Sequence, residues 1–510
     1  MNDISSETGK QRLPRKWEFY LSAVWVVLFL GCFFYLKFRF GMLLLDDAYI
    51  TMSHVRTFVE TGQVVMSQRN PVNATSTPLF TLLLSGIVRI LGTAHFEGII
   101  YLVNVLFDLI IFSLLFLIAR TLKIALPLIL LILSAVGFSL GFIVISASGM
   151  ESMLYASVAL TGIYGMLQPS PNNRWLVAAA FFAPLVRPEG ILVSCSILII
   201  CLYKHRTIRA ILSPAIAAGL GFLLFFLFYC LSYGSPLPHS VTAKKSFVDI
   251  GFSEAVIAWI NGLFFKGPVF GGRRIILIVN LLLITAAVLG YTKGRRSTVP
   301  LTLLLWPVLY IGFFFVTGTS DSAYPWYYFP VLPVLIISAV YGISKLNEYF
   351  RWKSWWLWGA LFFLIPLWTV NPILQELPEK YKRMIESREG RYKKVAALIN
   401  TEAKETETIL CYDVGVIGYY CKPRVLDAVG LLSPEVIPWL RRYGWNPEYY
   451  YRCIDKFKPE WALLIGTIDA QDKSIAAPEI LEHDYKKFGT LLAREGTDCL
   501  EIWRRVLFSE

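Results

Sequence analysis

Residues 97–119 read EGIIYLVNVLFDLIIFSLLFLIA, a run of the length a helix needs to cross about 30 Å of hydrocarbon. Inside that layer no water can satisfy backbone N–H and C=O groups, so such a run crosses as a helix that pairs them internally. Similar runs lie on both sides of it. Spans are predicted at about 19–36, 97–119, 125–146, 152–168, 175–187, 190–203, 210–232, 274–291, 299–316, 329–344 and 354–371, about eleven in all, with the pair around 187–190 readable as one broken helix. Composition agrees: 56% of the 510 residues are hydrophobic and 16% charged, where a soluble globular chain carries roughly 25% charged residues. The fold class is therefore a polytopic α-helical membrane protein.

Charge gives the orientation. Alternate short loops are basic: Lys10, Arg12, Arg15 and Lys16 before the first span, then Arg120 and Lys123, then Lys204, Arg206 and Arg209. Lys293, Arg295 and Arg296 follow, and then Lys345, Arg351 and Lys353. Positive loops stay in the cytoplasm, so the N-terminus is expected there, in a multi-pass protein of the cell (inner) membrane. The first apolar run is too long for a cleavable signal and lacks a small-residue cleavage site. These loops, facing anionic membrane lipid, hold most of the formal net charge of +12, and nothing points to nucleic acid.

Two domains are expected, a membrane domain at 1–371 and a soluble α/β domain at 372–510. The tail opens with a charged helical stretch, EKYKRMIESREGRYKKVAALINTE, and then alternates short apolar runs with Gly and Pro turns. An odd number of spans places it on the periplasmic or extracellular side. Cys411, Cys421, Cys453 and Cys499 lie in it, and there either disulfides or buried thiols are compatible with the sequence.

The chemistry is sought in the long first external loop, about 37–96. It begins LLLDDAYITMSHVRTFVETGQVV at 43–65, with Asp46 and Asp47 adjacent directly after an apolar run. Two neighbouring carboxylates there repel each other and lose solvation, so they need a partner or a function. One can serve as general base while the other orients it or holds a divalent metal; helix capping by one Asp is the bland alternative. SQRNPVNATSTPLFTLLLSGIVRILG at 67–92 then makes a turn, and Pro78 opens a second, apolar helix. Two such helices read as elements lying along the membrane surface. His54 and His95 read as surface histidines. HExxH, paired CxxC, Walker and GxSxG signatures are absent, against zinc protease, ATPase and serine hydrolase chemistry.

DDAYI followed by NPVNATSTPLFTLLL resembles the first external loop of the GT-C superfamily of membrane glycosyltransferases, most closely its bacterial terminal arabinofuranosyltransferase branch. SGMES at 148–152, VRPEG at 186–190, YGSPLPHSVTAKKS at 233–246, YPWYYFP at 324–330 and DVGVIGYYCKPRVLDAVGLLSPE at 413–435 extend the likeness in order. One departure is LPHS, where the branch has Pro-Asn-Thr, at the donor-side position His239. The resemblance implies a transferase taking a sugar from a polyprenyl-phosphate donor to an extracytoplasmic glycan, glycolipid or protein, in one inverting displacement. It implies a catalytic base at Asp46 or Asp47, with Asp46 the better-aligned position.

A polyprenyl-phosphate leaving group calls for cations near headgroup depth. Arg187, Lys244 and Lys245 are the candidates, with a pair to Glu189 or Glu151, or snorkelling, as the structural alternatives. Arg273 and Arg274 read as interfacial anchors. Glu151, Glu189, His239, Tyr324, Trp326 and Tyr327 are candidate substrate contacts, the aromatic residues otherwise forming an interfacial belt. The rival function is a transporter or lipid flippase, which predicts internal repeats and mid-membrane charges. A non-catalytic scaffold is a third reading, and it leaves the Asp pair unexplained.

Overall fold

The computed structural model describes residues 16–506 apart from 171–172, 237, 239, 241–242, 244–251, 261–287, 289–291, 293–297, 318–324, 351–376, 468–478 and 493–497. The membrane part is built from α1 (Lys16–Phe40), α4 (Phe96–Thr121), α5 (Leu126–Gly137), α6 (Leu140–Ala147), α7 (Ser152–Leu167), α8 (Arg174–Val186), α9 (Ile191–His205), α10 (Arg209–Tyr233), α11 (Phe252–Ile260), α12 (Val299–Thr317) and α13 (Leu332–Phe350). Between α1 and α4 the first external loop folds into α2 (Asp46–Thr61) and α3 (Pro78–Leu91), the two helices expected there, with Pro78 in the first turn of the second. Among the described residues, five helices are long and apolar enough to cross a membrane, or six with one bent pair. The chain is a polytopic helical membrane protein. The expected span at 19–36 lies within α1; those at 274–291 and 354–371 fall outside the described residues, Val288 apart.

One expected span is bent, and the two expected on either side of 187–190 stay separate. The run 125–146 bends by 55° between α5 and α6, where Ser139 accepts the N–H of Phe142 (3.2 Å) and restarts the helix. The run across 187–190 is two helices. Proline drives the preceding residue into extended backbone, and Arg187 sits at φ −150°, ψ 150° before Pro188. The chain leaves α8 there and re-enters α9 after one short turn at Pro188–Gly190.

After the long charged α14 (Leu377–Glu402), the tail forms a five-stranded sheet: β1 (Thr408–Cys411), β2 (Arg424–Asp427), β3 (Trp461–Thr467), β4 (Tyr485–Leu492) and β5 (Asp498–Arg505), in the order β2-β1-β3-β5-β4. β1 runs parallel to both β2 and β3, with Leu410 opposite Leu426 and Ala462; β5 is antiparallel to β3 and β4. Between the strands run α15 (Gly415–Tyr420), α16 (Ile437–Tyr443) and α17 (Pro447–Phe457). Period-two alternation splits the strand residues between two cores. Leu410, Leu426 and Ala462 pack with Tyr449, Tyr450 and Ile454 of α17. Ile409, Trp461 and Leu463 pack with Val395 and Ile399 of α14, in a cluster that runs on without a break into the membrane helices. One face of the sheet thus shares its core with the helical domain. Cys411, Cys421 and Cys453 are free thiols.

Candidate active site

Asp46 and Asp47 open α2, so their side chains leave the helix about 100° apart. Asp46 points at the tail domain. Its two oxygens accept the backbone N–H groups of Gly415 and Val416, both at 2.8 Å, at the start of α15. Only glycine fits here: a Cβ on residue 415 would lie 1.8 Å from the carbonyl oxygen of Asp46. The site is dry, with Asp46 9% exposed. Burial, and then the charge of Asp413, push Asp46 up to about 8, against the pull of the two N–H groups. Asp413 in turn accepts the hydroxyl of Tyr392 on α14 at 2.7 Å. A base must have an oxygen within reach of the acceptor proton, and geometry comes before pKa. Each Asp46 oxygen accepts one N–H, whereas Asp47 faces a cavity.

Asp47 lines a cavity of about 60 Å³ together with Thr75, Thr77, Glu151, Ser240, Trp326 and Tyr327, and Leu431 of the tail domain adds to its wall. The NATST turn that supplies Thr75 and Thr77 is held by residues that carry no motif in the sequence. His54 is fully buried, not a surface residue: its Nδ1 lies 2.7 Å from the Ile50 carbonyl, and Nε2 accepts the N–H of Ala74 (3.2 Å). A helical i–4 carbonyl on one nitrogen and a turn amide on the other fix the neutral tautomer. Tyr229 on α10 donates to the Thr75 carbonyl (3.0 Å), and Thr75 exchanges hydroxyl contacts with Thr77 and Thr81 at 3.1 and 3.3 Å. Leu431 is placed by Asp427, whose carboxylate accepts the N–H groups of Val429 (2.7 Å) and Leu432 (2.9 Å).

Arg187 is not offered to the cavity as an open cation. Its Nε donates to Glu151 (2.6 Å), and Nη2 reaches Glu151 and Ser152. Nη1 reaches Glu189 (3.5 Å) and the Trp326 carbonyl (3.3 Å). Four of these contacts are hydrogen bonds, and they engage all three guanidinium nitrogens. The ring of Tyr327 lies 5.2 Å from the guanidinium carbon. The expectation of a phosphate ligand at Arg187 therefore meets its structural alternative: an internal pair with Glu151 and Glu189, at the break between α8 and α9. Through Glu151 and Trp326 it braces the cavity wall. His239, Lys244, Lys245, Arg273, Arg274 and Tyr324 lie outside the described residues. Among the described residues no group of three or more His, Cys, Asp or Glu side chains is arranged to hold a metal ion.

A larger cavity of about 440 Å³ opens between the far half of α2, the 66–70 segment and the tail domain. Asn70 pins that segment to β2, donating to the Val425 carbonyl (2.7 Å) and accepting its N–H (3.0 Å). Asp47 is not among its lining residues, so the chemistry is sought in the smaller cavity.

The overall fold is similar to that of solved structures. The chain matches ArnT from Cupriavidus metallidurans bound to undecaprenyl phosphate over 94% of its own length and 98% of that chain, at 14% identity and a TM-score of 0.59. The apo form of ArnT matches over the same shares at a TM-score of 0.60. The chain carries the GT-C fold. A further GT-C structure, the oligosaccharyltransferase of Archaeoglobus fulgidus in its apo form, matches over 87% of this chain and 69% of that one, at 13% identity and a TM-score of 0.56. By sequence, residues 380–503 match a domain of unknown function, DUF8728. No curated protein matches the sequence significantly.

Proposed function

We propose that this chain is a glycosyltransferase that moves a sugar from a polyprenyl-phosphate donor to an extracytoplasmic glycan, lipid or protein acceptor, with Asp47 as general base. The observation that carries the reading is the cavity holding Asp47, Glu151, Trp326 and Tyr327, which lies between the first external loop and the tail domain. The near full-length likeness to a GT-C protein crystallised with undecaprenyl phosphate supports the donor class. In this reading Asp47 takes the proton of an acceptor hydroxyl as its oxygen attacks the anomeric carbon. The bond to the phosphate oxygen breaks on the opposite face and polyprenyl phosphate leaves, so the configuration inverts. Glu151 and the aromatic pair orient the sugar.

Since Arg187 is occupied by its own acids, the cations for the leaving phosphate are Lys244 and Lys245, four and five residues beyond the cavity-lining Ser240. The polar walls of the larger cavity suit a hydroxyl-rich acceptor chain. In this reading the tail domain lies outside the cytoplasm, a placement that the alternating basic loops support.

The test uses the purified protein in vesicles, given a polyprenyl phosphate carrying a radiolabelled sugar and envelope material as acceptor. The proposal expects label on the acceptor and release of polyprenyl phosphate in equal amounts. Movement of intact donor across the bilayer with no release is what a flippase gives, and it would end the transferase reading.

A further inference from the structure

Lys37, Asp108 and Ser146 come from three different helices and meet where no exposed surface remains: all three are 0% exposed. The Lys37 ammonium donates to Asp108 and to Ser146, and the Ser146 hydroxyl donates to the same Asp108 oxygen, Oδ2, at 2.6 Å. The ring of Tyr101 lies 5.1 Å from the ammonium. The other Asp108 oxygen, and both side-chain polar atoms of Asn104 one turn away on α4, have no hydrogen-bond partner among the described residues. An ion pair inside a membrane segment is costly, and an apolar replacement of similar volume is often no less stable. Stability alone is thus a poor reason for the cluster.

Its position supplies another reason. Lys37 lies one turn before the end of α1, where Gly41 N–H caps the Lys37 carbonyl (3.0 Å) and the chain turns toward Asp46 and Asp47. Ser146 lies in the last turn of α6, five residues before Glu151. Just beyond the cluster the two outgoing strands of chain are laddered together: Leu43 N–H donates to the Ala147 carbonyl (3.0 Å) and Leu45 N–H to the Ser148 carbonyl (3.1 Å). Gly149 turns the second strand at φ +77°, and a Cβ there would meet Leu44 Cδ2 at 2.6 Å and Ala48 Cβ at 3.0 Å. The cluster therefore sits at the common root of the two segments that carry Asp47 and Glu151 into the cavity, and Asp108 fixes that root to α4.

We infer that Lys37, Asp108 and Ser146 form a positioning clamp, which holds the 41–45 and 147–149 segments in register and so sets where Asp47 and Glu151 stand. These are positioning residues for the transfer proposed above, and the catalytic part of the inference rests on that reading. The placement of the two segments does not.

The test compares the full-length protein in lipid nanodiscs with Lys37→Met/Asp108→Leu, which removes both charges together and leaves neither stranded. Hydrogen exchange of peptides covering 42–46 reports the ladder without any substrate. The clamp predicts near-wild-type melting with exchange at Leu43 and Leu45 faster by tenfold or more, on the order of a lost local protection. In the transfer assay it predicts a kcat lower by roughly a hundredfold, the scale of a small misplacement, with the donor KM changed by less than about threefold. Lys37→Arg should recover part of both. A folded apolar pair with wild-type exchange at Leu43 and Leu45 overturns the clamp. If the wild type transfers nothing, the function fails while the exchange result still decides the clamp. Should the apolar pair not fold, Ser146→Ala, which removes a single hydroxyl, carries the same comparison.

Discussion

Asp46 and Asp47 differ by one position and by everything their side chains meet. Asp46 caps the first N–H groups of α15 and ties the tail domain to the membrane domain. Its titration makes this tie depend on pH. The docked carboxyl is held at about 8, above the ordinary 3.8, so docking is favoured while the proton is on and weakens as pH rises toward 8. Protection factors at Gly415 and Val416, with the intrinsic base-catalysed rise in exchange divided out, should therefore fall between about pH 4 and 8 and level off above that. Asp413→Asn, which removes the like charge, should bring that levelling-off to lower pH. His54 has the opposite sign. Burial lowers it from 6.5 to about 4, so the neutral form stabilises the fold, fully so above pH 6.5, and that contribution is lost as pH falls toward 4. His54→Phe leaves the buried Ala74 N–H unpaired and should cost about 1–3 kcal/mol, read as a lowered melting temperature at pH 7.5. Neither role was legible from sequence, because a buried histidine and a surface one look alike in a polar loop.

At the scale of elements, the break between α8 and α9 is the part most exposed to a single change. Arg187→Ala takes the guanidinium from Glu151 beside the cavity, and breaking a buried pair costs roughly 3–5 kcal/mol. The variant should express poorly or melt early, and Arg187→Lys should rescue only partly, since one ammonium cannot make all four hydrogen bonds. A stable Arg187→Ala protein that has lost only donor binding would return Arg187 to the phosphate. The sequence announced the break itself through Pro188, and both loop helices through Pro78 and the apolar periodicity that follows. It offered the pairing of Arg187 with Glu189 or Glu151 only as an alternative, because pairing is set by the packing of α7 on α8. The Lys37–Asp108 cluster escaped for a related reason: two charges within apolar runs do not disturb a hydropathy reading, and only the folded bundle brings them together.

For the whole molecule, apolar runs of spanning length led straight to the polytopic fold, and scattered short motifs led to a resemblance that the likeness in fold supports. At 14% identity the likeness to ArnT is one of shape. Several of those motifs hold the packing together, with Gly415 against Asp46, Asp427 under Leu431 and Glu151 on Arg187. The proposed placement of the tail outside the cytoplasm has a topological consequence. Arg391→Cys, on α14, should react with an impermeant thiol reagent added outside intact cells, whereas a cysteine at position 206 should not. Protection of position 391 would put the cavity on the cytoplasmic side, away from the proposed acceptor.

The central claim is that Asp47 does the chemistry while Asp46 holds the domain. The most direct measurement is the single-turnover transfer rate from a labelled polyprenyl-phosphate sugar, for the wild type, Asp47→Asn and Asp46→Asn, per folded molecule. The account predicts a loss of roughly 10²–10⁴-fold for Asp47→Asn with unchanged melting, the range for a missing general base. For Asp46→Asn it predicts a smaller loss of rate together with a loosened tail domain. Full activity in Asp47→Asn, or the base-type loss in a fully docked Asp46→Asn, would contradict it.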